Sequence, residues 1–236
     1  VNTSRLQPGR HYKVCADVDG LDPLLMVDSL QEVFISPLVP GHPKIDGPWP
    51  SVQRAPAQEL TFRCPSCSER AEGWLAEDCN NETSSLHTPA LNLVQGSGRW
   101  TLPIDASGLT TGESYQLCLD LDGGNSSDLR PGNVWSTLIY VTGITSLYPP
   151  SVQPFSGQAV GITCAEGCSG VSRAILADSC SLGLGLEGTL APAGSAWELS
   201  LDASSLTPGS HYSLCTDLDG AGNQSYGDTG LTLYVT

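Results

Sequence analysis

The chain has 236 residues, and 25 acidic side chains against 10 basic ones give it a formal net charge of −15. Binding to nucleic acid needs clustered Lys and Arg, which displace counterions from phosphates, and the sequence has no such cluster. No apolar run reaches the ~18 residues that a membrane span requires. We therefore expect neither a nucleic-acid partner nor a membrane span in this chain.

One segment occurs three times along the chain. Leu6–Gly20 recurs as Leu109–Gly123 and again as Leu206–Gly220, and the last two lie within a longer repeat of about 100 residues. Half of such a module would leave its core open to water, so we expect the chain to be a piece of a longer tandem array. The predicted copies are residues 1–38 (copy one, the C-terminal part of a module), 39–143 (copy two) and 144–236 (copy three).

Apolar and polar residues alternate with a period of two between Gly, Pro, Asp and Asn, which is typical of strands. In copy two, Trp100, Leu102 and Ile104 share one face of a predicted strand, and copy three repeats the pattern. About seven short strands in ~100 residues predict an all-β fold, a tandem of antiparallel two-sheet sandwiches.

The pattern Leu-x-Pro-Gly-x-x-Tyr occurs at Leu206–Tyr212 and, with Thr for Pro, at Leu109–Tyr115. It resembles the tyrosine corner of fibronectin type III and immunoglobulin (Ig)-like domains, in which a tyrosine at the start of strand F folds its hydroxyl onto the preceding turn. The resemblance implies Ig-like sandwiches. In Ig domains the strand-F cysteine follows this tyrosine by two residues and faces the core. Here Cys118 and Cys215 follow by three residues, which predicts that they face away from it.

The nine cysteines divide among the copies as one, four and four, and four cysteines allow three pairings. Strand parity places Cys118 opposite the apolar face, and Cys79, out of phase with Trp74, is expected there too. Strands C and F are neighbours in such sandwiches, so these two cysteines can bridge. The predicted pairs are Cys64–Cys67, Cys79–Cys118, Cys164–Cys168 and Cys180–Cys215. Cys15 is expected to pair with a cysteine of the preceding part of the array.

Two other interpretations of these cysteines remain. A redox site would need Cys64 and Cys67 at a helix N-terminus, and the copy-three spacer between Cys164 and Cys168 is one residue longer, which argues against it. A four-thiolate zinc site fits stereochemically. The glycosylation motifs described next favour disulfides, because they indicate an oxidising compartment.

Four of the seven asparagines lie in Asn-x-Ser/Thr sequons, namely Asn2, Asn81, Asn125 and Asn223. The last two occupy the same loop, after Asp-Gly, in copies two and three, and a surface loop is what an N-glycan needs. Chance sequons in a Ser-rich chain are the alternative. With the cysteines, these motifs predict a eukaryotic secretory glycoprotein that is extracellular.

An Asp-x-Asp-Gly motif closes the predicted strand F in every copy. The acidic pairs are Asp17 and Asp19, Asp120 and Asp122, and Asp217 and Asp219. Calcium takes six to eight oxygens, and paired carboxylates with loop carbonyls are candidate ligands. We favour a structural interpretation, in which Asp-Gly supplies the positive φ of a tight turn and the first aspartate faces solvent. We therefore expect no cofactor, with calcium as the alternative.

No pattern in the sequence indicates catalysis. His11 and His211 are equivalent, but copy two has Ser114 at that position, so they fit no shared catalytic role. Nucleophile elbows, phosphate-binding glycine loops and His-Glu-x-x-His motifs are missing from the sequence. We expect a protein that is not an enzyme, with a proline-rich linker over residues 36–50 that limits bending between modules.

Leu206–Gly220, with the bias of the chain toward Ala, Gly and Ser, resembles the tandem Ig-like repeats of green-algal mastigoneme proteins, the glycoprotein hairs of motile cilia. The resemblance implies a structural subunit of an extracellular filament, whose partners are copies of itself or other filament proteins. The alternative is a cell-surface adhesion or receptor ectodomain that binds a protein or glycan through its loops. A carbohydrate-binding module would need exposed aromatic residues, for which Trp49 and Trp135 are the candidates.

Overall fold

The structure, a computed structural model, describes residues 5–17, 26–38, 51–80, 87–123, 129–134, 138–180, 184–220 and 226–236. These residues form strands and short 3₁₀ turns, without an α-helix, so the predicted all-β class is confirmed. The chain divides into two compact units, each made of several segments. Unit 1 comprises residues 1–40, 59–104 and 116–138, and unit 2 comprises residues 41–58, 105–115 and 139–236. The module boundaries given above stay a prediction.

In chain order the strands are β1 (His11–Asp17), β2 (Met26–Phe34), β3 (Ser51–Gln53), β4 (Gln58–Phe62), β5 (Glu72–Ala76), β6 (Leu91–Asn92), β7 (Val94–Gln95), β8 (Trp100–Ile104), β9 (Ser114–Asp120), β10 (Gly132–Asn133), β11 (Ile139–Thr142), β12 (Ile144–Tyr148), β13 (Ser151–Val152), β14 (Gln158–Cys164), β15 (Arg173–Ala177), β16 (Leu186–Ala193), β17 (Ala196–Leu201), β18 (His211–Asp217) and β19 (Gly227–Val235). A 3₁₀ turn at Ala203–Ser205 separates β17 from β18.

Unit 1 holds the copy-one hairpin and a large part of copy two. Strands β1 and β2 form an antiparallel pair, and β8 lies between β4 and β7. The second half of β9 pairs with β5 and β10, and β5 pairs with β6. Burial alternates along β8, where Trp100, Leu102 and Ile104 are buried between half-exposed residues. This period of two is the one that the sequence predicts for a strand with one face in a core.

Unit 2 holds the rest of copy two and all of copy three. Strand β11 pairs with the first residues of β9 and, in parallel, with β3. Copy three has the strand order β12-β14-β17-β16-β15-β18-β19-β13. The first half of β16 pairs with β15 and its second half with β17, so this strand passes from one sheet to the other. Strands β12 and β13 are consecutive in the chain but lie at opposite ends of this order, where β12 pairs with β14 and β13 pairs with β19. An edge strand of a two-sheet sandwich can divide its pairing between the two sheets in this way.

The core of copy three lies between these two sheets. Its members are the buried apolar side chains Ile144, Val152, Val160, Ile162, Ala174, Leu176, Leu190, Leu199, Leu201, Ala203, Leu206, Leu214, Leu218, Leu233 and Val235. Most come from alternating positions of the predicted strands, such as Val160 and Ile162 on β14. Burying a side chain of this kind contributes about 1.5–3 kcal/mol, so the sandwich is held mainly by this core.

A tyrosine corner is present in all three copies. The hydroxyl of the first tyrosine of strand F accepts a hydrogen bond from the backbone N–H five residues earlier. The pairs are Tyr12 with Gln7 at 2.9 Å, Tyr115 with Thr110 at 3.0 Å, and Tyr212 with Thr207 at 3.1 Å. The corner fixes the turn before strand F, and that turn supplies residues to the joints described below.

Candidate functional site: the joints between successive copies

Four disulfides brace copies two and three. They are Cys64–Cys67, Cys79–Cys118, Cys164–Cys168 and Cys180–Cys215, which are the pairs that strand parity favours. Cys118 lies opposite Trp74 across the β5–β9 pair, on the face of β9 away from the buried Leu117 and Leu119. In the described chain Cys15 is a free, exposed cysteine.

The expectation that Trp74 and Cys79 lie on opposite faces is wrong. Trp74 packs in a small cluster with Ala76, Cys79 and Cys118 on the outer face. Strand β5 ends at Ala76, so the period of two does not extend to Cys79. Copy three has a similar outer cluster, which contains Ile175, Ala177, Cys180, Cys215 and Tyr226.

The acidic turns of copies two and three fold around backbone N–H groups. The Oδ1 atom of Asp120 accepts from the N–H of Asp122 at 3.2 Å, and Oδ1 of Asp217 accepts from the N–H of Gly220 at 3.1 Å. Gly220 has φ = 62°, so the Asp-Gly sequence supplies the expected positive φ. The turn interpretation is therefore confirmed in these copies.

The expectation that the first aspartate faces solvent is wrong. Asp120 is 7% exposed and Asp217 is 2% exposed. Each carboxylate faces its own turn and accepts a hydrogen bond from a backbone N–H there. Burial, and the nearby Asp122 carboxyl, raise the pKa of Asp120 to about 6. Burial, and the nearby Asp219 carboxyl, also raise the pKa of Asp217.

No group of three or more His, Cys, Asp or Glu side chains is placed to hold a metal ion in the described part of the chain. Asp17 ends β1, and its predicted companion Asp19 lies outside the described residues. The calcium alternative stays a prediction. The four sequon asparagines, Asn2, Asn81, Asn125 and Asn223, and the aromatic candidates Trp49 and Trp135 also lie outside the described residues.

Within unit 2, the end of copy two packs on copy three through an aromatic side chain and a glycine. Tyr140 of β11 lies against Gly227 at the start of β19, where a Cβ atom would overlap its ring. The Tyr140 hydroxyl hydrogen-bonds with Oγ1 of Thr216 at 3.2 Å, and the residue is 2% exposed. Burial raises the pKa of Tyr140, so the phenol stays neutral in this joint. Nearby, a Cβ on Gly112 would lie 3.3 Å from Cβ of Leu218.

A second contact in unit 2 involves the loop that the Cys164–Cys168 disulfide closes. The loop carries Glu166, whose Oε1 accepts a hydrogen bond from the Thr111 hydroxyl at 2.7 Å. Its Oε2 lies 3.2 Å from Nη1 of Arg54. The disulfide thus holds a carboxylate between two side chains of copy two.

Backbone atoms complete this second contact. The N–H of Ala165 donates to the carbonyl of Gly143 at 2.8 Å. A Cβ atom on Gly143 would overlap the carbonyl oxygen of Glu166, so a glycine is required for the two copies to approach this closely. Because Gly143 is the single residue between β11 and β12, the linker itself forms part of the joint.

Unit 1 contains the same aromatic–glycine contact between copies one and two. Phe34, at the end of β2, lies against Gly132 of β10, where a Cβ atom would overlap its ring. A Cβ on Gly9 would lie 2.5 Å from Cδ1 of Leu121. The Ser36 hydroxyl donates to the carbonyl of Val134 at 2.6 Å.

Polar contacts surround this joint of unit 1. Nε2 of His11 hydrogen-bonds with the carbonyl of Pro131 at 3.1 Å, and the His11 ring packs on Phe34 with 5.0 Å between ring centroids. Arg130 pairs with Glu32 at 2.7 Å. The two joints therefore share an aromatic side chain on a glycine, and differ in the polar groups around it.

Strand register shows that the two joints use equivalent positions. Phe34 lies opposite His11, and Tyr140 lies opposite Ser114. Both strand partners, His11 and Ser114, directly precede the corner tyrosine of their copy. The receiving glycines are equivalent as well. Gly132 and Gly227 lie opposite the residue four positions after the corner tyrosine, which is Leu119 in copy two and Thr216 in copy three.

The alternation and the motifs of the sequence do not predict these joints. One regularity of the sequence lies at these joints, a glycine three residues before the corner tyrosine in every copy, at Gly9, Gly112 and Gly209. Each of these glycines has a positive φ, which favours glycine in every copy, and in copies one and two a side chain of the next copy also packs against the position. An apolar alternation predicts which face is buried within a module, but not which residue contacts the next module.

None of the described residues belongs to a helix that is long and apolar enough to cross a membrane. No protein-family model matches the sequence, and no curated protein matches it. Among solved structures, the chain is similar to the plexin A4 full extracellular region, domains 1 to 10, with 10% identity, a TM-score of 0.28, and coverage of 96% of this chain and 18% of that one.

A second plexin A4 structure, with domains 1 to 8, gives 9% identity and a TM-score of 0.28 over 91% of this chain and 27% of that one. The I9–I11 tandem of titin gives 15% identity and a TM-score of 0.24 over 89% of this chain and 72% of that one. The chain thus spans less than a third of either plexin chain. TM-scores this low say nothing about what the chain does.

Proposed function

We propose that this chain is a structural segment of an extracellular glycoprotein, a filament or surface appendage built from tandem Ig-like modules. The observation that carries the proposal is one interlocking joint that occurs twice, with Phe34 on Gly132 and with Tyr140 on Gly227. A spacer needs every junction between modules to hold the same geometry, and a repeated joint of this kind meets that need.

The joint of unit 2 resists separation for physical reasons. Pulling copy two from copy three would expose the buried Tyr140 ring, which costs about 1.5–3 kcal/mol for a large apolar side chain. It would also break the hydrogen bond between Thr111 and Glu166 and the ion pair with Arg54. Aromatic burial provides the larger share, since exposed ion pairs contribute about 0–1 kcal/mol each.

Extracellular location and glycosylation are parts of the same proposal. Four disulfides persist in an oxidising compartment, which fits a secreted protein. The four sequons would carry N-linked glycans. We propose that the chain has no catalytic activity and that its partners are modules of its own kind or other filament proteins.

The resemblance of Leu206–Gly220 to mastigoneme repeats supports a more specific version, in which the filament is a hair on a motile cilium and increases hydrodynamic drag. The adhesion or receptor ectodomain remains the competing class. An adhesion protein needs an exposed surface that binds its ligand, whereas in a filament subunit the ends of successive modules contact each other.

Electron microscopy of the native glycoprotein that contains this sequence tests the proposal. We expect long polymers or appendages with a regular axial repeat, and a mass loss after enzymatic removal of N-glycans. Labelling with an antibody against copy three is the control that identifies the polymer. A monodisperse monomer that binds a ligand saturably would contradict the proposal and favour the receptor class.

A further inference from the structure

We propose that the corner of copy three formed by Gly209, His211 and Tyr234 is a docking surface for one further Ig-like module of the same repeat type. The inference rests on the proposed function, because the partner is another module of the tandem array. It goes beyond that function by assigning the residues on both sides of the contact.

The surface is defined by equivalence with the two joints already described. Tyr234 lies opposite His211 in the β18–β19 pair, just as Phe34 lies opposite His11 in the β1–β2 pair. The ring centroids of His211 and Tyr234 are 4.8 Å apart, against 5.0 Å for the copy-one pair. Copy three therefore presents the same aromatic arrangement that copy one uses to contact copy two.

The corresponding residues are covered in the first two copies and open in the third. A Cβ on Gly9 or Gly112 would contact a leucine of the next copy, whereas a Cβ on Gly209 would meet no described atom within 4 Å. Tyr140 is 2% exposed and Tyr234 is 36% exposed. An aromatic ring and a bare glycine, placed as they are in two formed joints, are left without the module that covers them elsewhere.

The partner can be specified from the receiving side of each joint. That side consists of a leucine six residues after the corner tyrosine and a glycine on the next strand, which are Leu121 with Gly132 in copy two and Leu218 with Gly227 in copy three. Both receiving sides are filled by the preceding copy of this chain. A second intact copy of the chain would offer neither of them, so the occupant is a separate module with this leucine and glycine.

The test extends the full chain by a second copy of residues 143–236 joined after Thr236, which reproduces the single-glycine linker of the copy two–copy three joint. The added copy carries Tyr234→Phe and His211→Ser, which are the residues that copies one and two hold at these positions. The original Tyr234 and His211 can then be followed separately. The readouts are nitration of tyrosine by tetranitromethane and carbethoxylation of histidine by diethyl pyrocarbonate, located by mass spectrometry.

We expect the extension to slow modification of Tyr234 roughly tenfold or more, toward the rate of Tyr140, since reaction then requires local opening of the joint. His211 should be protected in parallel. Tyr148, which is 79% exposed, is the internal control and should react at an unchanged rate. Thiol titration should find Cys15 as the single free thiol, which shows that the added module has formed its disulfides.

The matched control carries Gly227→Val in the added copy. Valine is chosen because copy one has Val27 at the position equivalent to Gly227. This change fills the receiving side, so Tyr234 should stay as reactive as in the unextended chain. Unchanged reactivity with a folded, glycine-bearing added module would overturn the inference, as would equal protection by the valine variant. Equal nitration rates of Tyr140 and Tyr234 in the unextended chain would overturn it without any extension. None of these results bears on whether the native protein forms a filament.

Discussion

Tyr140 packs on Gly227, and the space taken by its ring is the space that a side chain at residue 227 would need. The contact joins the last strand of copy two to the last strand of copy three. It depends on the smallest residue in one copy and one of the largest in the other. Such a pair is sensitive to added volume, because a packed interior cannot absorb even one methyl group without movement.

The first prediction is that Gly227→Ala destabilises the protein, whereas Gly170→Ala has little effect. The added methyl group at residue 227 would overlap the Tyr140 ring, and overpacking of this kind costs about 1–3 kcal/mol. A Cβ on Gly170 meets no described atom within 4 Å, and the residue lacks a positive φ, so it is a matched control in the same copy. Thermal unfolding and the nitration rate of Tyr140 measure both effects. Equal behaviour of the two variants would show that the contact does not constrain residue 227.

The repeats and the sandwich were predictable from the sequence because they depend on local spacing. Burial follows a period of two along β8, and the tyrosine corner needs only a tyrosine five residues after its donor. The tyrosine corner occurs in all three copies, and the alternation of β8 recurs in β17 of copy three, so the copies support one another. The alternation does not extend to Cys79, because β5 ends at Ala76, and Trp74 lies on the outer face of β5 with Cys118.

The joints were not predictable in the same way, because they depend on which surfaces meet in three dimensions. Arg54 and Glu166 lie 112 residues apart and contact through a loop that a disulfide holds. The sequence predicts that Asp217 faces solvent, whereas its carboxylate is buried and accepts a hydrogen bond from the N–H of Gly220. Polarity alone predicts exposure, and hydrogen bonding to backbone groups reverses it.

The second prediction concerns the charge pair between Arg54 and Glu166. A double-mutant cycle with Arg54→Met and Glu166→Gln should give a coupling of about 0.2–1 kcal/mol that falls as salt is added, since both side chains are partly exposed. The comparison pair is Arg173 and Glu187, which lie within one copy at 3.9 Å and should couple more weakly. Chemical denaturation of the four chains in each cycle gives the energies. A coupling for Arg54 and Glu166 that does not depend on salt would contradict an electrostatic origin.

The third prediction is a change of pH dependence in Asp120→Asn. The pKa of Asp120 is raised from its ordinary value of 3.8 to about 6, because the carboxyl is buried and lies beside Asp122. The folded state therefore holds a proton that the unfolded state has lost between these two values, and stability falls as pH rises through this window. An asparagine keeps the Oδ1 acceptor without the charge. Its melting temperature should match the parent below pH 3.8 and exceed it above pH 6, with the difference growing between these two values.

Asp105→Asn is the control of opposite sign for the third prediction. Hydrogen bonds from the side chain and backbone of Ser107 lower the pKa of Asp105, so its carboxylate favours the folded state above the ordinary pKa, and this contribution is lost as pH falls through the lowered value. The asparagine variant should gain nothing above pH 6. Thermal unfolding from pH 3 to pH 8 separates the two variants, and a parallel gain in both would contradict the assignment to Asp120.

The fourth prediction ranks the disulfides by the length of chain they close. Cys79 and Cys118 are 39 residues apart, and the chain-entropy model gives about 4 kcal/mol for removing their bond by paired substitution to Ala. Cys64 and Cys67 are three residues apart, and the same model gives about 2 kcal/mol. The variant without Cys79–Cys118 should therefore unfold at a lower denaturant concentration than the variant without Cys64–Cys67.

The disulfide between Cys164 and Cys168 offers a sharper case. Its loop is almost as short, so the chain-entropy model again gives about 2 kcal/mol, yet it holds Glu166 against Thr111 and Arg54. Its removal should therefore also weaken the joint, measured as faster nitration of Tyr140, while removal of Cys64–Cys67 leaves that rate unchanged. If both paired variants change nitration of Tyr140 equally, the Glu166 loop plays no part in holding copy two on copy three. A rise confined to the Cys164–Cys168 variant would mean that this bond stabilises a contact between modules as well as the loop that it closes.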